Sequence, residues 1–242
     1  MLRESRHASE PDPAAAGIVA EVAGADGVAA RLREDRRPVT ERDVRALRAA
    51  ARRFTLELPV DPTVLEIALD VAPAAACLVP GRAEEVPLER GLDCTRDPDR
   101  ISRAVRELTA AGAAVSVLID PDARQIRAAL ATGAVGVTLH TGRFAAARDA
   151  AARATAFADL RMAAAAAHEL GLRIHAAHGL DARTACAVAT LPGVEDVFLG
   201  HALFARALLV GLDRAVREVR HALSASIAMN GASSARPPEE DL

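Results

Sequence analysis

From Pro13 onward the chain alternates between two hydrophobic periods. Short apolar runs occupy 27–33, 54–60, 75–80, 114–120, 136–142, 173–179 and 195–200. Stretches with helical spacing follow most of them, as at 40–53, 63–71, 99–111 and 122–131. Strand-length runs alternating with helices predict parallel strands and an α/β fold. The segments VSVLID, VGVTLHTG and EDVFLG are apolar nearly throughout, the pattern of strands covered on both faces. The series is one unit short of a (β/α)8 TIM-type barrel, which takes ~250 residues. The absent unit is the first: a strand should precede the helix at 13–23, yet residues 1–12, MLRESRHASEPD, are polar.

The predicted architecture is therefore a TIM-type barrel over 13–223 with its first strand missing or degenerate. Either the strand has been lost or the start has been placed too late. An N-terminal segment, 1–12, precedes the barrel. A disordered tail is expected over 224–242, where the composition turns to Ser, Ala, Asn, Gly and Pro and ends in EEDL. Without the first strand, the runs at 27–33 and 195–200 become sheet edges, which folds normally avoid.

Alternation along a strand sends Ala29, Arg31 and Arg33 to one side, and Thr55, Glu57 and Pro59 to one side of the next run. Leu32, Leu56 and Leu58 take the opposite sides, suited to packing under helices. Arg31, Arg33 and Glu57 then face the barrel axis, where an Arg31–Glu57 ion pair is expected to lower the Glu57 pKa. By the same parity His175 and His178 face opposite ways and do not form a metal pair.

Composition narrows the chemistry. All 30 basic residues are Arg, which excludes a Schiff-base lysine and a Walker-type phosphate loop. A net charge of −3 with no Tyr or Trp argues against nucleic acid as a partner. No apolar run is long enough to span a bilayer and no signal-peptide pattern opens the chain, so the expected location is cytoplasmic, with no membrane partner. Cys77, Cys94 and Cys186 are far apart and read as small core residues. A metal hydrolase is the obvious rival for a barrel with His and acid at its strand ends, but the common HxH on an early strand is missing, so no metal is expected.

Barrel enzymes keep catalysis at the C-terminal ends of their strands. The polar residues there are Arg31, Arg33, Glu57, Asp120, His140 and His178, with His201 after the last run. His178-Gly179 and Gly200-His201 each open a helix. Glycine there lets backbone N–H groups approach an anion, and the helix terminus favours negative charge, although either glycine could simply make a tight turn. A phosphorylated small molecule is the expected ligand.

Several long segments extend this reading. AGADGVAARLREDRRPVTERDV, LELPV, CLVPGRAEEVPLERGLD, VTLHTG, HAAHGL and LGHALFARALLVGLDRAV occur in one order. Together, from about Leu2 to Leu223, they resemble the pyridoxine 5′-phosphate synthase family of (β/α)8 enzymes. The resemblance implies condensation of 1-deoxy-D-xylulose 5-phosphate with 3-amino-2-oxopropyl phosphate to pyridoxine 5′-phosphate, phosphate and water, with no cofactor. It also implies a homo-oligomer, from dimer to octamer.

By the same resemblance Glu57 is the catalytic base and His178 the catalytic acid. Gly179, Gly200, His201 and Arg6 bind the aminoketone phosphate, Arg33 contacts the deoxyxylulose phosphate, and a loop over 81–93 closes the site. Arg31 stands where the family has a catalytic histidine. Pro38 and Pro87 replace a substrate-contacting histidine and a loop threonine, and the strand carrying an asparagine and an Asp-His pair is absent. These departures keep two other readings open: a catalytically impaired paralogue that binds a phosphorylated small molecule, and a scaffold acting through its Ala-rich helices.

Overall fold

The computed structural model describes residue 3, residues 8–81 and residues 90–234, with side chains described as far as 229. Ten helices and seven strands alternate among these residues: α1 (Pro13–Val22), β1 (Val28–Arg31), α2 (Glu41–Ala50), β2 (Phe54–Pro59), α3 (Pro62–Val71), β3 (Ala75–Val79), α4 (Pro98–Ala110), β4 (Ala114–Ile119), α5 (Ala123–Ala131), β5 (Gly136–His140), α6 (Gly142–Ala146), α7 (Ala150–Glu169), β6 (Arg173–Ala177), α8 (Ala182–Val188), β7 (Val194–Phe198), α9 (His201–Val210) and α10 (Leu212–Ser234). The strands form one sheet in sequential order, β1 to β7, and every neighbouring pair is parallel. The result is a curled TIM-type sheet lacking one strand, as the hydrophobic pattern predicts. The tail is a difference: α10 carries the chain past Leu223 to Ser234, and Val216 and Leu223 pack inward from it.

Local chemistry fixes where the helices start. Asp12, Asp61, Asp97, Asp122, Asp149 and Asp181 each accept a backbone N–H of the first turn, and Thr40 with Asp43 forms a reciprocal cap on α2. The outward side chains of β2, Phe54, Leu56 and Leu58, are buried beneath the helices, while Thr55 and Glu57 on the lumen side are only half-buried. β4 and β5 are buried nearly end to end, as their largely apolar sequences predict, with Ser116, Thr138 and His140 as the polar positions.

β7 departs from its apolar pattern. None of its residues is fully buried, and β1 is as open. Among the described residues no strand lies between β1 and β7. Two features brace this seam. α10 packs against α1, α8 and α9, spanning the helices on either side of it. At the N-terminal end of the lumen, Arg53, just before β2, reaches Asp196 on β7 with two bonds of 2.9 and 2.5 Å.

His175 on β6 also lies beside this carboxylate, its Nδ1 3.0 Å from Asp196 Oδ2. Burial would raise the Asp196 pKa, but His175 and Arg53 outweigh it and hold the carboxyl at about 2, below its ordinary 3.8. A depressed carboxyl contributes stability above its unfolded value and loses it as pH falls through the folded value. Arg53→Ala is expected to lower unfolding free energy by about 1 kcal/mol, a modest figure because the arginine is partly exposed. In urea unfolding that difference should hold above about pH 4 and shrink toward pH 2; a pH-independent difference would assign the loss to packing alone.

Candidate active site

The inward positions of the strands meet in one polar lumen. At its N-terminal end Arg53, Thr55, Glu57, Ser116, Thr138, His175 and Asp196 line a cavity of about 30 Å3, room for one or two waters. Cys77 Sγ lies 3.4 Å from Thr138 Oγ1, which lies 3.3 Å from Ser116 Oγ. Burial and the nearby Glu57 charge push the Cys77 thiol up to about 12. It stays protonated and fills space, as its place in an apolar run suggests.

Glu57 and Asp196 are the carboxyls lining this cavity, and Glu57 is the one beside Arg31. β1 and β2 pair with Arg31 and Glu57 as direct partners, which is the juxtaposition alternation predicts. Arg31 pulls the Glu57 pKa down, as expected, but it does not set the net shift. Removal from water raises its pKa, and the opposing pull of Arg31 is the smaller effect, so the carboxyl titrates above its ordinary 4.5. Arg31 itself reaches across to β3, where its Nη2 donates to Pro80 O at 2.8 Å.

His178 follows the last residue of β6 and adopts a left-handed backbone, φ 81°, with Gly179 next at φ 75°. Such a conformation is uncommon for a side chain bearing a Cβ and marks a site held by its surroundings. It also ends the alternation that would set His178 opposite His175, because the strand stops at Ala177. The His178 ring instead stacks on His140 at the end of β5, with centroids 5.1 Å apart and planes 18° from parallel. Thr141 Oγ1 bridges the two strand ends, its single proton shared between the carbonyls of Ala177 and His178 at 2.9 and 2.5 Å.

His140 is the functional candidate that sequence reasoning left unselected. Its ring is buried, and a Cβ on Gly142 would come within 2.6 Å of it, so the VTLHTG glycine gives that ring its space. The signal lay in that spacing: a histidine two residues before a glycine where strand turns into helix. Burial, then His140, then Arg31 lower the His178 pKa to about 4. The imidazole is therefore neutral at neutral pH.

The other predicted site residues lie around the same mouth or outside the described residues. Gly200 caps α9 without a side-chain hydrogen bond, and nothing lies within 4 Å of where its Cβ would stand. His201 begins α9 and is exposed. First-turn N–H groups have no partner within their own helix, so this terminus presents donors and a favourable dipole to an anion. Arg33, beyond the end of β1, forms a two-pronged pair with Asp35 at 3.1 and 3.2 Å. Arg3 pairs with Asp43 and donates to Pro38 O at 2.9 Å, which ties the N-terminal segment to the loop after β1. Arg6, Pro87 and most of the closing loop, 82–89, lie outside the described residues.

Among the described residues no three His, Cys, Asp or Glu side chains are grouped to hold a metal, and no helix is long and apolar enough to cross a membrane. The depressed His178 has a stability consequence. Between its ordinary 6.5 and about 4, the unfolded chain takes up a proton that the folded chain refuses, so stability falls as pH drops through that window. The contribution is about 3 kcal/mol. His178→Asn, which tolerates the left-handed backbone, should flatten the decline in urea midpoints between pH 6.5 and 4. An unchanged decline would place the titration elsewhere.

The sequence matches the family model for pyridoxal phosphate biosynthesis protein PdxJ over residues 1–225. It is 47% identical over 226 residues to a pyridoxine 5′-phosphate synthase of a Synechococcus strain, covering 93% of this chain and 95% of that one. A pyridoxine 5′-phosphate synthase of Gloeothece citriformis is 42% identical over 227 residues, with coverage of 93% and 95%. Among solved structures, the Amycolatopsis orientalis BexX/CysO complex aligns with a TM-score of 0.61 at 18% identity, over 96% of this chain and 91% of that one. A 4-hydroxy-2-oxoglutarate aldolase/2-deydro-3-deoxyphosphogluconate aldolase gives 0.60 at 18% identity over 88% of each. At those identities the structural matches concern the fold alone.

Proposed function

Since the chain belongs to the pyridoxal phosphate biosynthesis PdxJ family, we propose that it is a pyridoxine 5′-phosphate synthase, condensing 1-deoxy-D-xylulose 5-phosphate with 3-amino-2-oxopropyl phosphate. The observation that carries the reading is the lumen pair: a carboxyl raised by burial, Glu57, and a neutral imidazole, His178, joined electrostatically through Arg31.

Ring closure from an amine and two carbonyl compounds consists of carbon–nitrogen and carbon–carbon bond formation with repeated proton transfer. A carboxyl lifted toward neutrality can both take and return a proton, which a solvent-exposed glutamate does poorly. His178 in its neutral state donates or accepts a hydrogen bond without charge. A phosphate dianion arriving beside Gly179 and Gly200 would raise its pKa and make it a better acid once substrate is bound. The uncapped start of α9 and the left-handed turn at Gly179 support an anion site for the aminoketone phosphate, with His201 at its rim. Arg33 can serve the second phosphate by exchanging its Asp35 partner for it, and Arg6 is assigned to the first on the family resemblance alone.

The same reading makes the chain a cytoplasmic homo-oligomer. α9 has no buried residue and exposes Phe204, Leu208 and Leu209, the last at 80%. With Ile18, Val19 and Val22 of α1 also exposed, this is the kind of apolar surface that self-association covers.

Purified protein supplied with both phosphorylated substrates is expected to release phosphate and form pyridoxine 5′-phosphate. Light scattering on the same sample should exceed the monomer mass of 25.2 kDa. Glu57→Gln should lower kcat by about a hundred- to ten-thousand-fold while the fold persists. Wild-type protein that binds the aminoketone phosphate but makes no product would support the impaired-paralogue reading instead.

A further inference from the structure

Arg31 acts on Glu57 and His178 through its charge but takes no part of its own in the proton transfers above. Arg31 lies on β1 with Glu57 as its direct partner on β2, and its guanidinium is hydrogen-bonded to Pro80 O, one residue beyond β3, at 2.8 Å. The side chain therefore crosses the strand that carries Glu57, on the side toward the strand C-termini. A guanidinium keeps its charge at any working pH, so it cannot exchange protons. Held by a backbone carbonyl, that charge is a preorganised electrostatic element.

We propose that Arg31 is a catalytic residue of the polarising kind: it stabilises the negative charge that develops on the substrate carbonyl oxygen, and proton transfer is left to Glu57 and His178. This rests on the condensation reading. In the step concerned, the amine nitrogen forms a bond to the carbonyl carbon and the C=O π pair moves onto oxygen, facing Arg31. Two protons leave nitrogen in turn through the Glu57 carboxylate and are returned to that oxygen. The oxygen departs as water when the C=N bond forms, and Glu57 ends as it began. The influence of the Arg31 charge on both Glu57 and His178 agrees with a position between them.

The test is the condensation assay on wild type, Arg31→Gln, Arg31→Lys and Arg31→Ala, each checked for native circular dichroism. Arg31→Gln should lose about a hundred- to a thousand-fold in kcat with KM within about threefold, the signature of an interaction made in the transition state. Arg31→Lys should recover part of the loss, and added guanidinium ion should restore turnover to Arg31→Ala in proportion to its concentration. The acid limb of kcat/KM should move to higher pH in Arg31→Gln, since Glu57 loses a cation. Active wild type with Arg31→Gln within twofold of it, or with Arg31→Ala unresponsive to guanidinium, overturns the role of Arg31 alone. If Arg31→Gln and Arg31→Ala do not fold, an Arg31→Lys with unchanged kcat overturns it. Inactive wild type overturns the condensation reading and this inference with it.

Discussion

Seven parallel strands paired in sequential order must all alternate their side chains between a helix layer and a common lumen, and the remainder of the molecule answers to that constraint. On the helix side, β2 offers only Phe54, Leu56 and Leu58, so that face can be dry. The lumen takes whatever is left: Arg31, Glu57, Cys77, Ser116, Thr138 and His175. Once register is set by the backbone ladder, Arg31 must stand beside Glu57 and Cys77 beside Ser116. Polar side chains concentrated in this way share hydrogen bonds and a small cavity, and their charges act on one another through protein instead of water.

The balance in that lumen is between desolvation and charge. For Glu57, desolvation exceeds the attraction of Arg31 and raises the carboxyl; for Asp196, the attraction of His175 and Arg53 exceeds desolvation and lowers it. The two acids lie in one barrel and titrate in opposite directions because their partners differ in contact. Asp196 receives a two-pronged bond from Arg53 with His175 close beside it, and it serves as a brace across the seam. Glu57 is left available for proton transfer. Burial and the stacked His140 lower the His178 pKa, so Glu57 and His178 are both moved toward their neutral forms where chemistry is expected.

Much of this was legible in the sequence. The order of strands and the inward set on β1 and β2 follow from alternation, which acts within a few residues. The pull of Arg31 on Glu57 was readable from strand parity, but the larger effect of enclosure was not, because a pairwise rule cannot see how far the carboxyl is removed from water. The His140–His178 stack was missed because parity ends with the strand at Ala177, and a left-handed residue then turns the ring by a rule of its own. The extension of α10 to Ser234 was hidden by a tail of small polar residues whose helicity owes more to the preceding helix than to local preference. The open flanks of β1 and β7 follow from the missing first strand, which leaves both runs as sheet edges even though EDVFLG carries the apolar pattern of an interior strand.

The central claim is that enclosure in the lumen governs Glu57 more strongly than its cationic neighbour does. The most direct measurement is a 13C NMR titration of the Glu57 side-chain carboxyl in the ligand-free protein, assigned by comparison with Glu57→Gln. The account predicts a midpoint above the ordinary 4.5. A midpoint at or below that value would mean that Arg31 wins, and that Glu57 is an ion-paired structural acid instead of a proton-transfer group.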